Sequence, residues 1–234
     1  MKRKALHIAI IVAGGSGLRF CSRVPKQFKV LGGKPLVAHC LKAFNDSPAI
    51  DEIYIVTKAG TVDEMKRVAL QYGIAKTRAI LEGGDSRQES VQTALEYLSS
   101  LYIEPRSIVA IHDGDRPNIT LDIIEKNFEM AESKGASVTA IPATNSAFLS
   151  PSGKSVRSYL KRSDLYLAQT PQTFRFDWIL RAHREYGSPS ATDDASLVRK
   201  LGKPVHIVEG SVENYKINTK EDGHMFSLKK EGRI

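Results

Sequence analysis

Only two cysteines, Cys21 and Cys40, occur in 234 residues. Two thiols cannot build the disulfide framework of a small secreted scaffold, and their spacing is not that of a metal knuckle. A reducing compartment, the cytoplasm, is therefore expected. Long apolar runs are missing too. The run in MKRKALHIAIIVAGG follows a basic start, as in a signal peptide, but it is brief and enters a glycine loop without a convincing cleavage pattern. A first buried strand is expected there instead. Nothing elsewhere is long enough to cross a bilayer, so no membrane contact is expected. Aromatic residues are scarce, at 7%. A nucleic-acid binder needs a continuous basic face with interleaved aromatics, whereas here acids lie between the basic residues, and no nucleic-acid partner is expected. Neither GxGxxG nor Gly-Lys-Ser/Thr follows the first apolar run, which argues against a nicotinamide oxidoreductase and against a nucleotide hydrolase.

What the chain does carry is positive charge. Lys and Arg number 34 against 26 Asp and Glu, a formal charge of +8. Spread along the sequence without a basic tail, that excess suits small phosphorylated ligands. A 41% hydrophobic content can fill the core of one domain spanning residues 1–234. Strand-like runs at 7–12, 53–57, 79–81, 108–111 and 138–141 alternate with helical periodicity at 35–44, 62–72, 88–101 and 121–134, the last ended by Gly135. This is the α/β pattern, and the nearly all-apolar early strands predict helices on both faces of a sheet. Helices near 178–186 and 193–201, strands near 205–208 and 215–217 and a final helix should follow. Between them, TNSAFLSPSGKSVRSYLKRSDL (144–165) sets a Ser-Pro-Ser-Gly turn between two short alternating segments. It predicts a protruding β-hairpin arm, too small to stand alone and so a contact for a second copy in a homodimer.

The stretch AGGSGLRFCSRVPKQF (13–28) places glycines ahead of Arg19, Arg23 and Lys26 at the end of the first strand, where open α/β sheets bind ligands. Bare backbone followed by cations suits a phosphate chain, and it also suits an ordinary turn. In GGDSRQES, Asp85 or Ser86 can cap a helix. In IHDGDRP, Asp113 leaves a buried strand at the same sheet edge, where a carboxylate could serve Mg²⁺ or simply pair with Arg116. The segment around Thr170-Pro171-Gln172 should turn sharply, and Lys216 alternates with Tyr215 and Ile217, so it points away from their apolar face.

Taken in order, AGGSGLRF, VPKQF, EGGDSRQESV, IHDGDRP, KRSDLYLAQTPQTF, TDDASLV and VEGSVENYKINTKED resemble the cytidylyltransferases that make CDP-methylerythritol or CDP-ribitol from CTP and a polyol phosphate. The resemblance covers nearly the whole chain. It implies a Rossmann-like nucleotidyltransferase sheet and gives each motif a role. Ala13, Gly14, Gly15 and Gly17 would face CTP, with Arg19, Lys26 and Lys216 as the catalytic cations on its phosphates. Gly84, Asp85 and Ser90 would form the cytosine pocket, and Asp113 would lie at the triphosphate and hold Mg²⁺. Arg116, Ser146, Arg162 and Thr170 would bind the acceptor. Methylerythritol 4-phosphate, an isoprenoid precursor, is the acceptor that the motifs favour over ribitol 5-phosphate. Three positions depart from the pattern: Asp115 stands where a small or apolar residue is usual, Asn118 where Phe is common, and Asn145 where Asp is usual.

Overall fold

The computed structural model describes residues 4–15, 24–188 and 191–233. Strand β1 (His7–Ala13) shows why its sequence is almost unbroken apolar: Ala9, Ile11 and Ala13 enter one buried cluster and Ile8 and Ile10 the other. A strand covered on both faces has no side left for polar residues. After it come a small ribbon of β2 (Val30–Leu31) and β3 (Lys34–Pro35), then α1 (Leu36–Asp46), β4 (Glu52–Thr57), α2 (Val62–Gln71), β5 (Thr77–Glu82) and α3 (Arg87–Ser100). The chain continues through β6 (Ile108–Asp113), α4 (Leu121–Lys134), β7 (Ala136–Pro142), β8 (Phe148–Leu149), β9 (Ser158–Tyr159) and β10 (Tyr166–Arg175). It ends with α5 (Phe176–Tyr186), α6 (Asp194–Lys200), β11 (His206–Glu209) and α7 (Lys220–Lys230).

Among the described residues the main sheet has the order β11-β7-β10-β6-β1-β4-β5. Its strands run parallel except β10, which lies antiparallel between β6 and β7. Residues of α1, α2 and α4, among them Phe44, Met65 and Phe128, fill one face. Those of α3, α5 and α6, among them Leu95, Ile179 and Leu197, fill the other. Helix α4 ends where expected, with Gly135 at φ 92°. A Cβ there would lie 2.4 Å from the Trp178 ring, so both backbone and packing demand glycine.

Two expectations fail. Residues 215–217 form no strand; Ile217 is buried against Leu36 and Phe226, and its N–H donates to the Asp115 carbonyl at 2.9 Å. The alternation at Lys216 is real, but it reflects docking on a loop, without a neighbouring strand. Conversely, the stretch expected to turn sharply at Thr170-Pro171-Gln172 is taken up within β10, with a cis Thr170–Pro171 peptide bond in its middle. Its pairing with β7 shifts register between Ala168 and Gln172, and Pro171, with no N–H to give to a ladder, falls inside that irregularity.

The arm is present as β8 paired with β9, Phe148 opposite Tyr159 with ring centroids 5.8 Å apart. Phe148, Leu149, Tyr159 and, at its root, Tyr166 and Leu167 are exposed. No helix among the described residues is long and apolar enough to cross a membrane.

Candidate active site

From β1 the chain crosses to β4 on one side, while β6 takes the other, so the C-terminal ends of β1 and β6 border the switch point of the sheet. The two ends are drawn together by Gly114, whose N–H donates to the Val12 carbonyl at 2.8 Å. A Cβ on Gly114 would lie 3.1 Å from that of Ala13. A cleft of about 480 Å³ opens beside this junction, lined by Gly14, Gly15, Gly84, Asp85, Ser90 and Asp113, with Lys58, Arg87, Asp115 and Lys216 completing much of the wall. A Cβ added to Gly15 would meet none of the described residues within 4 Å. Packing against the described residues does not demand glycine there, and the bare backbone suits a bound phosphate. Ala13 turns its side chain into the core. Gly17 and Arg19 lie outside the described residues.

The opposite rim is the start of α3. Ser86, not Asp85, is its cap: Ser86 Oγ accepts from the Glu89 N–H at 3.1 Å, and the Glu89 carboxylate accepts from the Ser86 N–H at 2.9 Å. This reciprocal capping box leaves Asp85 exposed on the cleft rim. Ser90 is buried and donates to the Ser86 carbonyl at 2.9 Å. The approach of the loop to it is close, since a Cβ on Gly83 would fall 2.4 Å from Ser90 Oγ.

Asp113 is the electrostatic centre. Its Oδ1 accepts from Arg87 Nε at 2.8 Å, and its Oδ2 lies 3.2 Å from Lys216 Nζ and 3.6 Å from Arg116 Nε. Burial favours the neutral acid, but Arg87, Lys216 and Arg116 outweigh it and hold the carboxyl well below the usual carboxylate range. Arg87 also donates to the fully buried Asp194 at 2.8 Å, and Asp194 in turn meets His183 Nε2 at 3.0 Å.

Next to Asp113, His112 is buried. Its Nε2 lies 3.2 Å from the Arg116 carbonyl, which can only accept, so Nε2 carries the proton and Nδ1 accepts from the Thr170 hydroxyl at 3.0 Å. The Thr170 oxygen then accepts the Asp113 N–H at 3.1 Å. Burial lowers the His112 pKa to about 4.

A second compartment of about 390 Å³ adjoins the first and shares Arg87, Asp113 and Lys216 as its wall. Arg116, Gln169, Thr170 and Asp193 line the rest of it, with Arg116 Nη1 donating to the Asn214 carbonyl at 2.8 Å. The structure thus brings together Gly14, Gly15, Gly84, Asp85, Ser90, Asp113, Arg116, Thr170 and Lys216.

Other expected residues stand apart. Lys26 is buried and does not line the described cleft; it donates to Asp115 Oδ2 at 2.7 Å, and Asp115 does line it. Ser146 and Arg162 are exposed at the arm, outside the described walls of either compartment, and Arg162 Nη1 lies 3.5 Å from the Thr144 carbonyl. Arg87, Asp194 and His183 were not among the residues expected at the site. Arg87 sits within the GGDSRQES motif already singled out, but its partners are 26 and 107 residues away in the chain.

Comparisons with known proteins point to one family. The model of the family described as 2-C-methyl-D-erythritol 4-phosphate cytidylyltransferase matches residues 7–226. The protein of that name from Alkaliphilus oremlandii is 40% identical over 231 residues, 96% of either chain. Its namesake from Dehalococcoides mccartyi is 39% identical over 227 residues, again 96% of either chain. Among solved structures, 4-diphosphocytidyl-2C-methyl-D-erythritol synthase from Anaerococcus prevotii superposes with a TM-score of 0.83 at 26% identity, over 97% of this chain and 96% of that one. The Thermus thermophilus cytidylyltransferase gives 0.74 at 28% identity, over 97% and 100%.

Proposed function

The chain belongs to the 2-C-methyl-D-erythritol 4-phosphate cytidylyltransferase family, and on that footing we propose that it transfers CMP from CTP to 2-C-methyl-D-erythritol 4-phosphate, releasing pyrophosphate. This is a step of isoprenoid-precursor synthesis. Ribitol 5-phosphate is the less favoured acceptor, since the relatives above are named for methylerythritol phosphate. The observation that carries the reading is the pair of compartments with one shared wall of Arg87, Asp113 and Lys216. A transfer between two phosphorylated molecules needs such a meeting place, one ligand on each side and cations between them.

In the first compartment the backbone at Gly14 and Gly15 takes the triphosphate, while Gly84, Asp85 and Ser90 take the cytosine edge. In the second, Arg116 and Thr170 orient the acceptor phosphate. An oxygen of that phosphate attacks the α-phosphorus of CTP in line; the new P–O bond forms as the bond to the pyrophosphate oxygen breaks. The nucleophile is already ionised, so no general base is called for. The obstacle is repulsion between two polyanions, and Lys216 on the shared wall offsets it where charge builds in the transition state. Lys26 and Arg19 are the other cations of the phosphate chain.

Mg²⁺ suits this donor set as a phosphate-completed ion. Among the described residues no group of three metal-ligating side chains gathers, but Mg²⁺ commonly takes one or two carboxylates and completes its shell with substrate phosphates and water. Asp113, a carboxylate kept ionised on the cleft wall, would hold it, and the ion would supply further neutralisation of the phosphates. The enzyme would act in the cytoplasm as a homodimer, with the arm packed on its partner and Arg162 and Ser146 completing the partner's acceptor compartment.

The test is pyrophosphate release from CTP and Mg²⁺ with a panel of polyol phosphates. Methylerythritol 4-phosphate should be turned over far faster than ribitol 5-phosphate, and CTP should be used far faster than UTP. Equal use of UTP, or preference for ribitol 5-phosphate, would overturn the reading.

A further inference from the structure

Lys26 and Lys216 come from opposite ends of the chain, and both meet one carboxylate. Lys26 Nζ donates to Asp115 Oδ2 at 2.7 Å and to the Ile217 carbonyl at 2.5 Å. Lys216 Nζ lies 3.7 Å from Asp115 Oδ1. Asp115 faces the cleft, while Lys26 stands behind it with 10% of its side chain exposed. Asp115 Oδ1 is buried and accepts no hydrogen bond from the described residues. Two anionic oxygens facing two ammonium groups give these lysines the same kind of partner that a phosphate would give them.

We propose that Asp115 is an internal competitor of the nucleotide's phosphate chain. It engages Lys26 and Lys216 while the cleft is free, gives up Lys26 when a triphosphate enters, and so sets the affinity for the nucleotide. The proposal rests on the reading of the cleft as a triphosphate site. It explains why Lys26, expected on the phosphates, is turned toward a neighbouring side chain. It also follows from charge. Asp115 takes one unit from the positive charge that the two lysines present to an incoming polyanion, and every phosphate oxygen that reaches Lys26 must come close to Asp115.

Asp115→Asn keeps the shape of the side chain and leaves an amide oxygen for Lys26, while removing the charge. Binding of inorganic tripolyphosphate and of CTP, each without acceptor, is measured by calorimetry at fixed ionic strength, with and without Mg²⁺. Both should bind on the order of tenfold more tightly to the variant, and KM for CTP should fall by a similar factor while kcat does not rise. In a Lys26→Ala background the same substitution should gain much less, because the contested cation is gone. Asp115→Ser removes the same charge by a different shape and must agree. Should neither variant fold, the wild-type chain still decides: the Lys26 ε-carbon NMR resonance, assigned by its loss in Lys26→Ala, must shift when tripolyphosphate saturates the protein.

Unchanged or weaker binding by the variants overturns the proposal, as does an unmoved Lys26 resonance. A loss of affinity confined to Mg²⁺-containing buffer overturns it by making Asp115 a metal ligand. If wild-type protein binds and turns over CTP while the variants bind no tighter, the competition alone is refuted. Failure of the wild-type chain to bind CTP or tripolyphosphate refutes the cleft assignment with it.

Discussion

Between apolar Tyr215 and Ile217, Lys216 reads by itself as an exposed lysine, and only the family resemblance singled it out; the structure turns it onto Asp113 at 3.2 Å. Substituting it with alanine should lower kcat/KM by about 100-fold or more, mostly in kcat, while leaving acceptor binding nearly intact, as steady-state kinetics with each substrate varied would reveal. Arg87 had no local sign either. A carboxylate partner 107 residues away leaves no trace in the surrounding sequence. His112 makes a prediction of another kind. Its pKa falls from 6.5 to about 4 on folding, so between these values the unfolded chain binds the proton that the folded chain refuses. Stability is whole above pH 6.5 and is lost as pH falls toward 4, by about 3 kcal/mol from this group. Urea titrations from pH 7 to pH 4 should show that slope, and His112→Gln should flatten it.

Elements with a helical or near-continuous apolar pattern were legible, and β10 was not, for a physical reason. Its middle, Gln169 to Thr173, is buried yet mostly polar, because these side chains hold one another and the site: Gln172 donates to Asp193 at 2.9 Å and Gln169 to the Ser211 carbonyl at 2.8 Å. Burial reads as apolar alternation only where the neighbours are apolar. The loop from β5 into α3 shows the opposite case, since its glycines and its cap were visible while the closeness of its packing was not. Gly83→Ala would drive a methyl group to 2.4 Å from Ser90 Oγ and 3.1 Å from Val56. We expect at least about a tenfold rise in KM for CTP, with the melting temperature lowered by a few degrees, because the base-side rim of the cleft has to shift. Unchanged KM would remove Ser90 from the nucleotide pocket.

For the whole molecule, the order of strands and helices along the chain was enough to give the α/β class, but not the insertion of an antiparallel β10 between β6 and β7, since pairing partners leave no periodic mark. The arm was legible as a hairpin from its turn, and its exposed Phe148, Leu149 and Tyr159 are what a second copy would cover. The proposed homodimer predicts complementation: a heterodimer of Arg162→Ala and Lys216→Ala chains, each nearly inactive alone, has one intact site of its two and should regain up to about half of the wild-type activity per dimer. Light scattering should give twice the mass of one chain; a monomer, or a verified heterodimer without activity, would remove the shared site. The two compartments also differ in what carries them. The compartment proposed for the nucleotide is lined largely by loops at strand ends, such as Gly14, Gly15, Gly84 and Asp85, whereas the one proposed for the acceptor takes Ala168, Gln169, Thr170 and Gln172 from inside a strand of the sheet. A laboratory effort to change the base would therefore be working mainly on loops. Retargeting the acceptor would mean editing the scaffold itself, so libraries aimed at a new polyol phosphate should lose far more members to misfolding than libraries aimed at a new nucleotide.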